Sequence, residues 1–157
     1  MTARAHLRHA VATLAYRGGK ALRDAPASFA TFQAGEGTRT PLEILAHMGD
    51  LMAWALTQAH ADERWVPLPP ASWERETARF FDGIAALDAY LASDAPLGQP
   101  EGKIFQGAVA DALTHVGQIN LLRRMAGVPV RGENYNKADI QVGRVGPEQS
   151  APRREFD

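Results

Sequence analysis

The sequence predicts an all-α fold, a four-helix bundle with one long crossover between its second and third helices. Three observations support this prediction. Apolar residues recur at helical spacing in four segments, clear start and stop signals separate these segments, and no strong two-residue alternation competes with them. The chain has 157 residues, which suits a single domain with one core.

The first helix is predicted over residues 3–23. Its apolar stripe consists of Leu7, Val11, Leu14, Gly18 and Leu22. We expect Gly18 and Gly19 to form a weak point at which this helix bends or frays, because glycine is a poor helix former. His6 and His9 lie roughly opposite the stripe, so we expect both to be solvated.

The second helix has the clearest start signal in the chain. Thr40 is predicted as its N-cap, Pro41 as its first residue, and Glu43 as the partner of Thr40 in a capping box. A broad apolar face follows and fades near His60. Residues 61–71 are rich in proline and are therefore predicted to form the long crossover.

The third helix is predicted to start after Ser72, which is a good N-cap residue, and to stop at Ser93. The fourth runs over residues 104–126 and ends at Gly127, the usual C-cap residue. The bundle is thus predicted over residues 1–128. Residues 129–157 have few apolar side chains and are predicted to be an irregular tail, partly packed or disordered.

The composition excludes several classes of protein. Seventeen basic and eighteen acidic residues give a formal charge of −1, which disfavours nucleic acid as a partner. The chain has no cysteine, so a disulfide scaffold is excluded and any metal must bind nitrogen or oxygen. No run of eighteen apolar residues occurs, so no membrane partner is expected. These features together favour a cytoplasmic protein.

Two polar residues interrupt the apolar face of the fourth helix. Asp111 and His115 are four residues apart, so both side chains point into the same space on the core side. A buried aspartate needs a hydrogen bond, a charge partner or a metal. His47 lies at the edge of the core stripe of the second helix, whereas Asp50 lies on its polar side and is expected to be solvated.

Two imidazoles and one carboxylate form a ligand set that zinc, nickel, iron(II) or manganese(II) accepts, with open positions for water and substrate. His47, Asp111 and His115 are therefore the predicted metal ligands. The alternative is a helical ion pair of Asp111 with His115, with His47 as an ordinary histidine at the core edge. The three tryptophans, Trp54, Trp65 and Trp73, can line a pocket but are more simply core residues.

Three short motifs resemble those of the DinB/YfiT-like superfamily of metal-dependent enzymes. They are TPLEILAHMGD at residues 40–50, DALTHVGQI at 111–119 and LLRRMAG at 121–127, in the same order and spacing. The resemblance implies a four-helix bundle that holds a divalent metal through His47, Asp111 and His115. The chain departs from the family pattern at Asp111, where histidine is more usual, and at Val116, where a basic residue is frequent.

The resemblance also implies an activity. Characterised relatives include transferases and isomerases that depend on a low-molecular-weight thiol, so we expect a thiol-dependent S-transferase acting on a small molecule. Two alternatives stay open: a metal-dependent hydrolase, and a stress-related binding bundle without catalysis. No residue is identified as a catalytic general base. A bundle of this size permits a homodimer through an apolar helix face, although no seam in the sequence indicates one.

Overall fold

The computed structural model describes residues 1–157 and is mostly helical, which confirms the all-α class. Its long helices are α1 (Ala3–Leu22), α2 (Pro41–Ala59), α3 (Trp73–Ala92) and α4. The last of these has three consecutive segments: an α turn (Glu101–Ile104), a π turn (Phe105–Val109) and a longer α segment (Ala110–Met125). A short 3-10 helix, Ala27–Thr31, follows α1.

The predicted helix ends agree with the structure where local signals set them. The Thr40 hydroxyl accepts the backbone N–H of Glu43, whose carboxylate accepts the N–H of Thr40, so the capping box is confirmed. Ser72 caps α3 in the same way. At the end of α4, Gly127 adopts a φ of 76°, and the following N–H reaches back into the last turn.

Each long helix packs on two neighbours, in the cyclic order α1, α3, α2, α4. Arg8 forms an ion pair with Asp88, and Gly18 lies beside Phe80, so α1 and α3 are antiparallel. A Cβ on Gly18 would lie only 2.9 Å from the Phe80 ring. The expected weak point is wrong, because α1 continues through this glycine, which admits the ring of Phe80.

Helices α2 and α3 are parallel neighbours. Ala46 accepts a hydrogen bond from Arg79, and further along both helices Met52 fills the space beside Gly83. Two consecutive helices can run in the same direction only if the chain returns between them, which is the role of the long crossover. The crossover has no regular secondary structure.

Helix α4 completes the bundle and runs antiparallel to α2. His47 lies beside Asp111, whereas Trp54, later in α2, lies beside Gly107, earlier in α4. None of the helices has the length and apolar character that a membrane crossing requires. The largest fully buried side chains belong to Phe29, Phe80, Leu14, Leu45, Met48, Met52, Ile84, Leu87, Leu91, Ile104, Ile119 and Val11.

The C-terminal residues fold back onto α1. The strand β1 (Gly132–Glu133) pairs antiparallel with β2 (Glu155–Phe156), and Val145 packs into the core. Burial of the Glu133 side chain is matched by two hydrogen bonds: Tyr16 donates to it at 2.7 Å and Lys20 at 2.8 Å. The tail is therefore held by a buried polar cluster on α1.

Candidate metal centre

The three predicted ligands meet between α2 and α4. His47 Nε2 lies 3.4 Å from Asp111 Oδ2, and His115 Nε2 lies 3.5 Å from Asp111 Oδ1. One ligand atom from each residue can be chosen such that all lie within 4.8 Å of one another. The structure thus brings together two nitrogen donors and one carboxylate, a group that could hold a divalent metal ion.

The three side chains differ in their contact with solvent. The exposed fraction is 21% for His47, 11% for His115 and 46% for Asp111. The expectation that Asp111 is buried is therefore wrong: its carboxylate lies at the rim of the bundle, where water compensates its charge. The histidines form the inner side of the cluster, and the carboxylate forms its open side.

Gln118 determines which nitrogen of His115 is available. Its side-chain oxygen lies 2.7 Å from His115 Nδ1, and because this oxygen can only accept, Nδ1 carries the proton. The lone pair of His115 is then on Nε2, the atom that faces Asp111. A ligating histidine usually has such a partner on its other ring nitrogen. This role of Gln118 was not predicted from the sequence, although its position one turn after His115 on the same helix is a signal for it.

His47 is held in the neutral form that binds metals. Burial lowers the pKa of His47 below its usual value, and the neighbouring His115 lowers it further, while Asp111 only partly opposes both. The two imidazole rings are perpendicular, with their centroids 4.8 Å apart. Protons therefore compete less with a metal for the His47 nitrogen than they would for the nitrogen of an exposed histidine.

The crossover places an aromatic wall beside the cluster. The Trp65 ring contacts the His47 ring edge to face, with the ring centroids 5.7 Å apart. It also contacts the Trp54 ring, with the centroids 5.9 Å apart. Trp65 is 46% exposed, so its interpretation as a core residue is wrong. Trp73, in contrast, packs on Phe29 and against the core. The sequence signal that Trp65 is not a core residue is its position in a proline-rich segment without helical periodicity.

Two open cavities adjoin the cluster and share Trp54 as a wall. One has a volume of about 580 Å³ and is lined by Leu51, Trp54, Glu63 and Trp65. The other, of about 390 Å³, extends along α4 and is lined by Trp54, Gln106, Gly107, Ala110, Asp111 and Thr114. A Cβ on Gly107, in the π turn, would lie 3.3 Å from the Trp54 ring, so this glycine lets the ring pack closely.

Asp50 is not the solvated residue that helical periodicity predicts. It is buried, and its carboxylate accepts hydrogen bonds from Arg79 at 2.7 Å and from the backbone N–H of Leu68 at 3.2 Å. Arg79 also bonds to Glu76, which in turn accepts the N–H of Ala71. The prediction failed because the compensating charge comes from α3. This cluster fastens the end of the crossover to the bundle.

Comparisons of the chain with models of protein families, with curated proteins and with solved structures found no match. The geometry of the cluster therefore carries the functional argument. Its donor set fits a divalent ion: two imidazoles, of which His115 presents the lone pair of Nε2, one carboxylate that partly offsets the positive charge, and an open side for further ligands.

Proposed function

We propose that this chain is a divalent-metal-dependent enzyme of the DinB/YfiT-like superfamily, with His47, Asp111 and His115 as its metal ligands. The observation that carries the proposal is the convergence of these three side chains, from two helices, within 4.8 Å. The hydrogen bond from His115 to Gln118 adds to it, because it presents Nε2 to the shared space.

A divalent ion bound there would supply Lewis acidity and lower the pKa of a coordinated water or thiol. Asp111 would offset part of its charge and leave the open side accessible to a substrate. Trp54 and Trp65 shield one flank of the cluster and offer apolar surface for the rest of the substrate.

Within this proposal, the thiolate sulfur of a low-molecular-weight thiol attacks an electrophilic carbon of a small molecule; a carbon–sulfur bond forms as the bond to a leaving group such as a halide breaks, and the thiol proton passes to solvent. The chain has no cysteine, so the reacting sulfur must come from a cosubstrate. Two cavities that share one wall beside the cluster give room for a thiol and an acceptor. The motif resemblance favours the same class of reaction over hydrolysis.

The first experiment measures metal content. Protein without a polyhistidine tag is incubated with zinc, nickel, iron(II) or manganese(II), dialysed and analysed by plasma mass spectrometry. We expect about one ion per chain in the wild type and a strong loss in His47→Ala, Asp111→Ala and His115→Ala. His9→Ala, which removes an exposed histidine of α1, is the matched control. Wild-type protein that binds none of the four metals would disprove the metalloenzyme proposal.

The second experiment tests the reaction class. Metal-loaded protein is assayed with a panel of low-molecular-weight thiols and an aryl halide acceptor, and thioether formation is followed by absorbance. Turnover should require both the metal and a thiol, and should disappear in Asp111→Ala. Metal-dependent ester hydrolysis without any thiol would instead support the alternative of a hydrolase.

A further inference from the structure

The cavity lined by Leu51, Trp54, Glu63 and Trp65 combines a pair of indole rings with a carboxylate. Its two indole rings meet nearly at right angles, with an interplanar angle of 84°. Glu63 lies at the same cavity, where Trp54 donates its indole N–H to the carboxylate at 3.2 Å. Two indole rings and a carboxylate therefore border one space.

The charge of Glu63 has no cationic partner. Its carboxylate accepts hydrogen bonds from Trp54, from Gln58 at 3.3 Å and from Gln99 at 3.3 Å, and all three donors are neutral. The adjacent Arg64 forms an ion pair with Asp62 at 2.7 Å instead. These bonds hold the carboxylate in place at the cavity without neutralising it.

A cation is the ligand that such surroundings attract most strongly. The faces of tryptophan rings carry partial negative charge and bind ammonium groups within about 6 Å, and Glu63 adds a full negative charge. The walls formed by Leu51 and the two rings are apolar, which suits methyl groups better than a strongly hydrated primary ammonium. We infer that this cavity binds the quaternary or methylated ammonium group of a small molecule.

The position of the cavity connects this inference with the metal centre. Trp65 contacts both the cavity and the His47 ring, so a bound ammonium group would lie next to the proposed metal ligands. Identification of this ligand as the substrate rests on the proposed function. Binding of the cation itself depends only on the two rings and on Glu63.

The test compares choline with 3,3-dimethylbutan-1-ol, which has the same shape but no charge. Both are titrated into the full-length protein by calorimetry, with tryptophan fluorescence as a second signal. We expect saturable binding of choline and about tenfold weaker binding of the neutral alcohol. Equal binding of the two ligands, or no binding of choline, would overturn the inference.

Two variants locate the site. Glu63→Gln should weaken choline binding about tenfold with little change for the alcohol, because it removes only the charge. Trp65→Leu should weaken both ligands. Glu74→Gln is the matched control, since it removes an exposed carboxylate from the first turn of α3. Choline affinity that is unchanged in Glu63→Gln would count against the site, provided circular dichroism shows intact helices.

Metal content measured on the same samples separates this inference from the proposed function. Choline binding that persists in Asp111→Asn after loss of the metal supports the cation site alone. Wild-type protein that binds metal but not choline overturns the cation site and leaves the metalloenzyme proposal intact.

Discussion

His115 donates its Nδ1–H to the side-chain oxygen of Gln118 across 2.7 Å, and this contact fixes both the tautomer and the tilt of the imidazole. Gln118 itself is exposed and touches no other predicted ligand through a hydrogen bond. A residue outside the proposed ligand set thus orients one of its members.

Replacement of Gln118 should therefore weaken metal binding without removing a ligand. If the proposed centre binds a divalent ion, Gln118→Ala is expected to lower its affinity for that ion by about tenfold to a hundredfold, because His115 loses its fixed orientation. The measurement is a competition titration with a chelating dye. Leu121→Ala, an exposed residue on the same helix, should leave the affinity unchanged. Equal affinities of the two variants would show that Gln118 has no such role.

Removal of Arg79 should destabilise the protein. Asp50 and Glu76 are both buried and both depend on this guanidinium, so Arg79→Met leaves two carboxylates without their cation. We expect a loss of about 3 kcal/mol in the free energy of unfolding, measured in urea. Arg75→Met, at an exposed position of α3, is the control. If Arg79→Met loses no more free energy of unfolding than Arg75→Met, water compensates the two carboxylates as well as the guanidinium does.

Lys20 should make the stability depend on pH in the alkaline range. Burial lowers the pKa of Lys20, but hydrogen bonds to Glu133 and Glu155 outweigh it and leave this pKa above its usual value of 10.5. Because the folded state binds this proton more tightly, the stabilisation is fully present below the unfolded pKa and disappears as the pH rises through the folded one.

Unfolding in urea at pH 8 and pH 11 measures this contribution. The wild type should lose more stability between these pH values than Lys20→Met does. Tyr16, whose pKa is also raised, by burial and by Glu133, shares that carboxylate with Lys20, so both proteins are compared in a Tyr16→Phe background. Identical losses in the two proteins would contradict the assignment to Lys20.

The capping box of α2 should contribute measurably to stability. Thr40→Ala removes the hydroxyl that accepts the N–H of Glu43, and we expect a loss of about 1 kcal/mol. Thr13→Ala is the matched control, because that hydroxyl only bonds to the carbonyl one turn earlier in α1. If urea unfolding shows no loss of stability in either variant, the capping box at the start of α2 does not contribute to the stability of the protein.

The helix ends could be predicted from the sequence because their signals are local. Thr40, Pro41 and Glu43 lie within one turn, and Gly127 acts on the backbone next to it. The pair of Asp111 and His115 was predictable for the same reason, since one helical turn joins them. His47 required two further arguments, its position at the edge of the core stripe of the second helix and the motif resemblance, because nothing local connects it with α4.

The remaining features depend on contacts between distant segments. Asp50 can be buried because Arg79 on α3 donates a hydrogen bond to its carboxylate. The helical periodicity of α2 describes only α2 and cannot indicate a partner on another helix. Trp65 reaches His47 only because of the path of the crossover. Glu133 can be buried because Tyr16 and Lys20 on α1 donate hydrogen bonds to its carboxylate. For the crossover and the C-terminal tail, composition alone indicates only polar, irregular segments.

The π turn Phe105–Val109 has a consequence for how related chains should be aligned. Its hydrogen bonds span five residues instead of four, so the turn holds one residue more than the regular winding on either side. Loss of one residue there would return the helix to uniform winding and keep Asp111 and His115 one turn apart. A one-residue length difference between relatives therefore belongs between Ile104 and Ala110, because a gap placed after Asp111 would rotate His115 away from the shared face.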